Sequence, residues 1–188
     1  NRKEGFIGTA LKKDEYVTDC SDIDDIICFM QDGTMMVTKV DTKTFVGKNI
    51  IHVAVFKKKD KRTIYNLIYR DGSKGNTYIK RFAVTSITRD REYSIGKGEK
   101  GTKVFYFSAN PNGEAEKVTV YLRQIGSIKK LKFEVDFADQ LIKGRGAKGN
   151  IVSKHPVKKV ELKEFFKTLK YNWETDLETI EIICQHEK

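Results

Sequence analysis

Four glycine-bearing turns, at Gly33, Gly72, Gly113 and Gly149, follow one another at intervals of 39, 41 and 36 residues, each between two runs rich in β-branched and aromatic residues. The first unit is Ile26-Ile27-Cys28-Phe29-Met30, the turn Gln31-Asp32-Gly33, and Thr34 to Val40. An Asp-Gly step between apolar runs is a strong hairpin signal, because the tight turns that join antiparallel strands need positive φ. The second unit places Tyr65 to Tyr69 before Asp71-Gly72 and Thr77 to Phe82 after it; the third places Lys103 to Phe107 and Lys117 to Arg123 around Pro111-Asn112-Gly113. A degenerate fourth runs from Asp139 to Ile142, through a glycine-rich stretch, to Asn150 to Lys154. Further strand-like runs at Ile50 to Phe56, Phe82 to Ile87 and Ile128 to Phe137 fill the intervals.

That interval is close to the ~40 to 45 residues of a four-stranded propeller blade. One small sheet leaves a face uncovered, so neighbours must stack, and radial stacking also shortens exposed edges. The sequence therefore predicts an all-β, propeller-like fold with about four blades of four-stranded antiparallel sheet. An ordinary β-sandwich with irregularly spaced hairpins is the alternative. Towards the end, Leu162, Phe165, Phe166 and Leu169 fall at helical spacing, which predicts a short amphipathic helix. Leu177 to Cys184 alternates partly, as a closing strand would, and Glu174, Asp176, Glu178, Glu181 and Glu187 make the tail acidic. The expected organisation is a β domain over 1–160 and a helix or closing strand with acidic tail over 161–188, packed on the same domain.

With 39% hydrophobic residues, 11% aromatic, and no uncharged apolar run near the ~18 residues of a membrane helix, the chain is expected to be globular and soluble. It starts at Asn1 with no initiator Met, as a piece of a longer protein would. Cys20, Cys28 and Cys184 form neither an even disulfide framework nor a CxxC pair, which fits a reducing, cytoplasmic setting.

The formal charge of +10 implies a polyanionic partner, with nucleic acid ahead of an anionic membrane. The charge is also segregated. Residues 14–32 hold seven acids and no Lys or Arg, whereas residues 143–170 hold nine bases against Glu161 and Glu164. Segregation points to a binding face with acids kept away from it.

Catalytic and metal signatures are missing from the pattern. His52, His155 and His186 lack the spacings that gather ligands around one ion, and no nucleophile elbow or Walker loop occurs. GxGxxG occurs twice, at residues 96–101 and 144–149, but each is followed by strand-like residues instead of the helix a dinucleotide site requires. No cofactor is expected. Both stretches fit cationic loops in which glycines let backbone approach a phosphate while Lys and Arg neutralise it. The second is the stronger, because Lys143, Arg145 and Lys148 surround Gly146 and Gly149 with no acid among them. The first contains Glu99 and serves equally well as a solvated turn. Lys57, Lys58, Lys59, Lys61 and Arg62 form an exposed basic loop, and Lys80, Arg81, Arg123 and Lys154 extend the candidate DNA-contacting set. Strand alternation would send one of Lys80 and Arg81 outward and the other towards a core rim.

The repeated strand, Asp-Gly turn and strand, with the stretch at 143–149, resembles the C-terminal β-pinwheel of the A subunits of DNA gyrase and topoisomerase IV. The gyrase heptapeptide Gln-Arg-Arg-Gly-Gly-Lys-Gly is matched at Arg145, Gly146, Lys148 and Gly149, with Lys143, Gly144 and Ala147 departing from it. The opening Glu4-Gly5-Phe6-Ile7-Gly8-Thr9-Ala10-Leu11 and the hairpin from Ile27 to Val40 also look like that family's first blade. The degenerate box lies late in the chain, in what reads as the last blade, where gyrase carries an intact one in the first; a protein of the topoisomerase IV kind fits better. The resemblance implies a non-catalytic, monomeric, cytoplasmic and nucleoid-associated domain that binds and bends double-stranded DNA. Its implied partners are the ATPase B subunit and the remainder of the A subunit, with no membrane involved. A propeller that scaffolds protein partners is the alternative function; RNA binding through exposed aromatics is a third.

Overall fold

The structure is a computed structural model that describes residues 1–126 and 128–163. Its strands are β1 (Phe6–Ile7), β2 (Asp25–Met30), β3 (Thr34–Lys39), β4 (Thr44–Phe45), β5 (Ile50–Phe56), β6 (Ile64–Arg70), β7 (Thr77–Ala83), β8 (Tyr93–Ser94), β9 (Lys103–Asn110), β10 (Lys117–Leu122), β11 (Lys132–Asp136), β12 (Ile142–Gly144), β13 (Asn150–Ser153) and β14 (Val157–Leu162). A 3-10 turn spans Phe137–Asp139. Among the described residues no helix is long and apolar enough to cross a membrane.

β1 and β4 form a small ribbon; the first sheet has the order β5-β2-β3-β8, the second β12-β7-β6-β9 with β13 also on β7, and the third β11-β10-β14. The expected all-β class holds, with separate sheets stacked as in a β-pinwheel.

Burial patterns explain the stacking. In β2, residues 26–30 are all buried; in β6, residues 64–69; in β7, residues 77–82. Continuous burial means that both faces are covered. Alternation then assigns each face its neighbour. Ile27 and Phe29 of β2 join Tyr65, Leu67 and Tyr69 of β6 and Tyr78 and Phe82 of β7 in one core between the first and second sheets. Ile68 and Ile79, on the opposite face of the second sheet, join Val118, Val120 and Leu122 of β10 in another. Ile26, Cys28 and Met30 pack with Val46 and Ile50 on the outer face of the first sheet. Around β6 and β7 the second sheet is therefore the filling between two cores, without a solvent-facing side, whereas β12 and β13 at its edge are largely exposed.

The four repeat units do not each become a hairpin. Units one and two do, as β2 with β3 and β6 with β7, and Gly33 and Gly72 both take φ +79 at their turns. In the third unit the turn carries the chain between sheets, since β9 pairs with β6 while β10 pairs with β11 and β14. The fourth unit's strands both dock on β7, β12 in parallel and β13 antiparallel, so the glycine box belongs to the second sheet and not to a last blade of its own. Of the intervening runs, Ile50 to Phe56 is β5, and Ile128 to Phe137 contains β11; Phe82 to Ile87 supplies only the end of β7. The predicted helix begins at Leu162, which ends β14, and its remainder lies outside the described residues.

His52 sits among Phe29, Tyr65 and Phe107, with ring centroids 6.0, 6.2 and 5.3 Å away. Burial, then the nearby Arg2 charge, pushes its pKa down to about 4. The folded chain thus keeps a neutral imidazole that the unfolded chain protonates, and stability falls as pH drops from the ordinary His value towards 4. Melting temperatures measured across that interval should decline more steeply for the native chain than for His52→Phe. Parallel curves would remove His52 from the acid response.

Candidate nucleic-acid interface

The glycine box is a reversing loop. β12 runs alongside β7 with Lys143 opposite Phe82 and Gly144 opposite Ala83; the chain then doubles back and β13 places Asn150 opposite Ile79. The amide of Ala147 donates to the Gly144 carbonyl at 3.0 Å and closes the turn. Gly149 has φ +89, and a Cβ there would collide with the Ile79 carbonyl oxygen and stand 2.9 Å from Lys80 Cβ. At this position glycine is a packing requirement. Gly144 and Gly146, by contrast, have nothing within 4 Å of where a Cβ would lie, so the apex is open to an approaching ligand.

Side chains from several strands fix this loop. The Tyr69 hydroxyl donates to the Lys148 carbonyl at 2.8 Å. Lys148 Nζ lies 3.1 Å from the buried Asp71 Oδ2 and 4.5 Å from the Tyr78 ring centroid. Contact with Tyr78, and then Asp71, raises its pKa and keeps it charged. The Arg145 guanidinium lies 4.2 Å from the Tyr93 ring centroid. A ring at this distance helps hold the guanidinium, a group whose planar N–H edge suits a phosphate. Lys143 is exposed. Lys143 thus offers its charge outward, half-buried Arg145 lies over the Tyr93 ring, and Lys148 pairs with Asp71.

Lys80 and Arg81 behave differently from the expectation that they bear charge towards a duplex. They retain only 2% and 7% of their exposure. Lys80 faces the first sheet, where its ammonium donates to the carbonyls of Ile95, Arg145 (2.9 Å) and Ala147 (3.0 Å) and lies 4.7 Å from the Phe82 ring centroid. Three N–H groups meet three acceptors. Burial pushes the Lys80 pKa down, to about 7, with the Arg145 charge adding to the depression and Asp71 opposing it. Arg81 faces the third sheet, donating to Asn66 Oδ1 (3.1 Å) and the carbonyls of Gly113 (2.6 Å) and Glu114 (3.3 Å). Asn66 in turn donates to Glu116, which also accepts from Tyr106 and Ser108. Because the second sheet is covered on both sides at β7, two consecutive cations each secure a different inter-sheet joint.

Lys57, Lys58, Lys59, Lys61 and Arg62 are all exposed. Asp60 shapes their loop by accepting from the Arg62 amide (2.8 Å) and the Thr63 hydroxyl (2.6 Å). The Lys59 amide donates to the Thr85 carbonyl at 2.9 Å, two residues beyond the Ala83 that pairs with Gly144. This basic loop and the start of the box therefore reach the same end of β7. Lys154 is exposed just after β13. Arg123 is exposed after β10, in the third sheet, and is not gathered with the box.

The partners Tyr69, Asp71, Tyr78 and Tyr93 escaped the sequence reading. They come from β6, its following turn, β7 and β8, and nothing in their spacing announces one cluster. No group of three or more His, Cys, Asp or Glu side chains poised for a metal occurs among the described residues.

Comparison with known proteins places this geometry. The A subunit of DNA topoisomerase 4 from Borreliella burgdorferi is 26% identical over 165 residues, covering 87% of this chain and 24% of the relative; the chain thus spans about a quarter of that protein's length. A family model described as "Topoisomerase C-terminal domain, Bacteroidota" matches residues 1–164, a span that takes in all the described residues and the glycine box. On that match the chain belongs to the topoisomerase C-terminal domain family.

Proposed function

We propose that this chain binds and bends duplex DNA as the non-catalytic C-terminal domain of a bacterial type IIA topoisomerase A subunit of the topoisomerase IV kind. It presents the duplex to a catalytic core carried by the rest of that polypeptide, which acts with an ATPase B subunit. The domain itself neither cleaves DNA nor hydrolyses ATP, works as a monomer in the isolated state, and resides in the cytoplasm at the nucleoid. The observation that carries the reading is the pre-ordered box, whose open Gly144 and Gly146 lie beside outward Lys143 and Arg145 over the Tyr93 ring. A loop already fixed in shape loses little entropy when it meets a phosphate backbone. Phosphate contacts of this sort bind with little base readout, and specificity then comes from how easily the duplex deforms. Lys57 to Arg62, at the same end of β7, extend the track.

The test removes charge without disturbing the Lys148 and Asp71 pair. In Lys143→Gln with Arg145→Gln, the slope of log affinity against log salt on a mixed-sequence duplex should become shallower by about 1.8, at about 0.9 per phosphate contact. Bending, measured by energy transfer between labelled duplex ends, should fall in parallel. Unchanged affinity and bending would take the box out of the mechanism. Absence of duplex binding by the native chain at low salt would favour the scaffold alternative.

A further inference from the structure

The first glycine-rich stretch, residues 96–101, is separated from the box by more than forty residues, yet the fold brings the two together. Lys80 Nζ donates to the carbonyl of Ile95 on one side and to those of Arg145 and Ala147 on the other, so one nitrogen spans both loops. Asp71 adds a packing contact: its Oδ2 pairs with Lys148, and its Oδ1 lies beside Gly96, where a Cβ would stand 3.0 Å away. Gly96 also lies against the Tyr69 ring, whose hydroxyl holds the box.

The remainder of the stretch is as firmly built. Gly98 and Gly101 take φ +79 and +86. The Thr102 hydroxyl donates to the Glu99 carbonyl (2.7 Å) and accepts from the Gly72 amide (3.0 Å), and Arg70 donates to the carbonyls of Gly72 (2.8 Å) and Gly101 (3.2 Å). On this platform Lys97 and Lys100 are exposed, and neither makes an ion pair among the described residues.

We propose that loop 96–101 is a second phosphate-contacting loop, engaging the same duplex as the box, with Lys97 and Lys100 as its ligands. The inference rests on the DNA-binding reading above and adds a site to it. A solvated turn needs no anchoring to its neighbours. The Lys80 ammonium joins Ile95, at the entry to this loop, to the box, and Gly96 packs on the Tyr69 and Asp71 side chains that hold Lys148, so the two keep a fixed spacing, as contacts to neighbouring phosphates of one duplex require.

The test compares Lys97→Gln with Lys100→Gln against a control that removes equal charge elsewhere, Lys12→Gln with Lys13→Gln, both exposed beside the acidic segment. Affinity of the 188-residue chain for a mixed-sequence duplex is measured from low to physiological salt. The loop variant should lose about 1.8 from the salt slope, at about 0.9 per contact, while the control keeps the native slope. Equal slopes for loop variant and control would overturn the second site and leave the box reading standing. A native chain that binds no duplex at low salt overturns both.

Discussion

Gly149→Val should be strongly damaging, lowering the melting temperature by roughly 6–20 °C. The residue takes φ +89, and a Cβ would collide with the Ile79 carbonyl and crowd Lys80 Cβ, both in the β7 strand that carries the box. A left-handed backbone strains any L side chain, most of all a β-branched one, and here relief would also require moving β13 away from β7. We take about 3–5 kcal/mol for the combined strain and lost pairing, at about 2–4 °C per kcal/mol for a chain of this size. Gly146→Ala is the matched control, since its Cβ would meet nothing within 4 Å; its melting temperature should stay within about 2 °C of native. Thermal unfolding by circular dichroism reads both. If the two variants melted together, the steric account of the box would fail.

Lys80→Met should cost about 3 kcal/mol, or roughly 6–12 °C in melting temperature, although it removes a charge from the interior. Methionine fills the same space and relieves the ammonium of desolvation, but leaves the carbonyls of Ile95, Arg145 and Ala147 without their donor. A buried acceptor stripped of its partner costs about 1–3 kcal/mol, and three exceed the relief. The loss should be local. Hydrogen exchange should speed up across 96–101 and 144–149 before it does so in β2 or β6. Lys80→Arg keeps charge without the point geometry and should restore only part of the stability. A pH series supplies the sign: with its pKa lowered to about 7 in the fold, Lys80 binds fewer protons than in the unfolded chain between there and the ordinary lysine range, so its contribution favours the fold increasingly as pH rises through that window. Lys80→Met should flatten that rise. Native stability and exchange in Lys80→Met would mean that water takes over all three carbonyls.

These residues also show where sequence carries structure and where it does not. The turns at Gly33 and Gly72 were legible because a positive φ between apolar runs is written locally. Gly113, at φ +77, looks the same in sequence, yet β9 and β10 part there for different sheets. A turn signal fixes a reversal but says nothing of which strand the chain meets next. Alternation failed at Lys80 and Arg81 for a related reason: it presumes a wet face, and a strand between two cores has none. The box was legible as composition, through its glycines and bases. Its role as a fixed loop was not, because Tyr69, Asp71, Tyr78 and Tyr93 reach it from three strands and a turn.

The order in which sheets are completed has a consequence for synthesis. β8 returns to β3 only after β6 and β7 have been laid down, and β12 and β13 return to β7 only after β10 and β11. A chain emerging from the ribosome at about 5–20 residues per second therefore carries each new hairpin for several seconds with a bare edge. Such edges are templates for pairing with other chains. A stop or a proteolytic cut ahead of residue 142 would remove more than a DNA-contacting loop: it would uncover β7, the edge of the central sheet, and turn a clipped domain into a nucleus for aggregation.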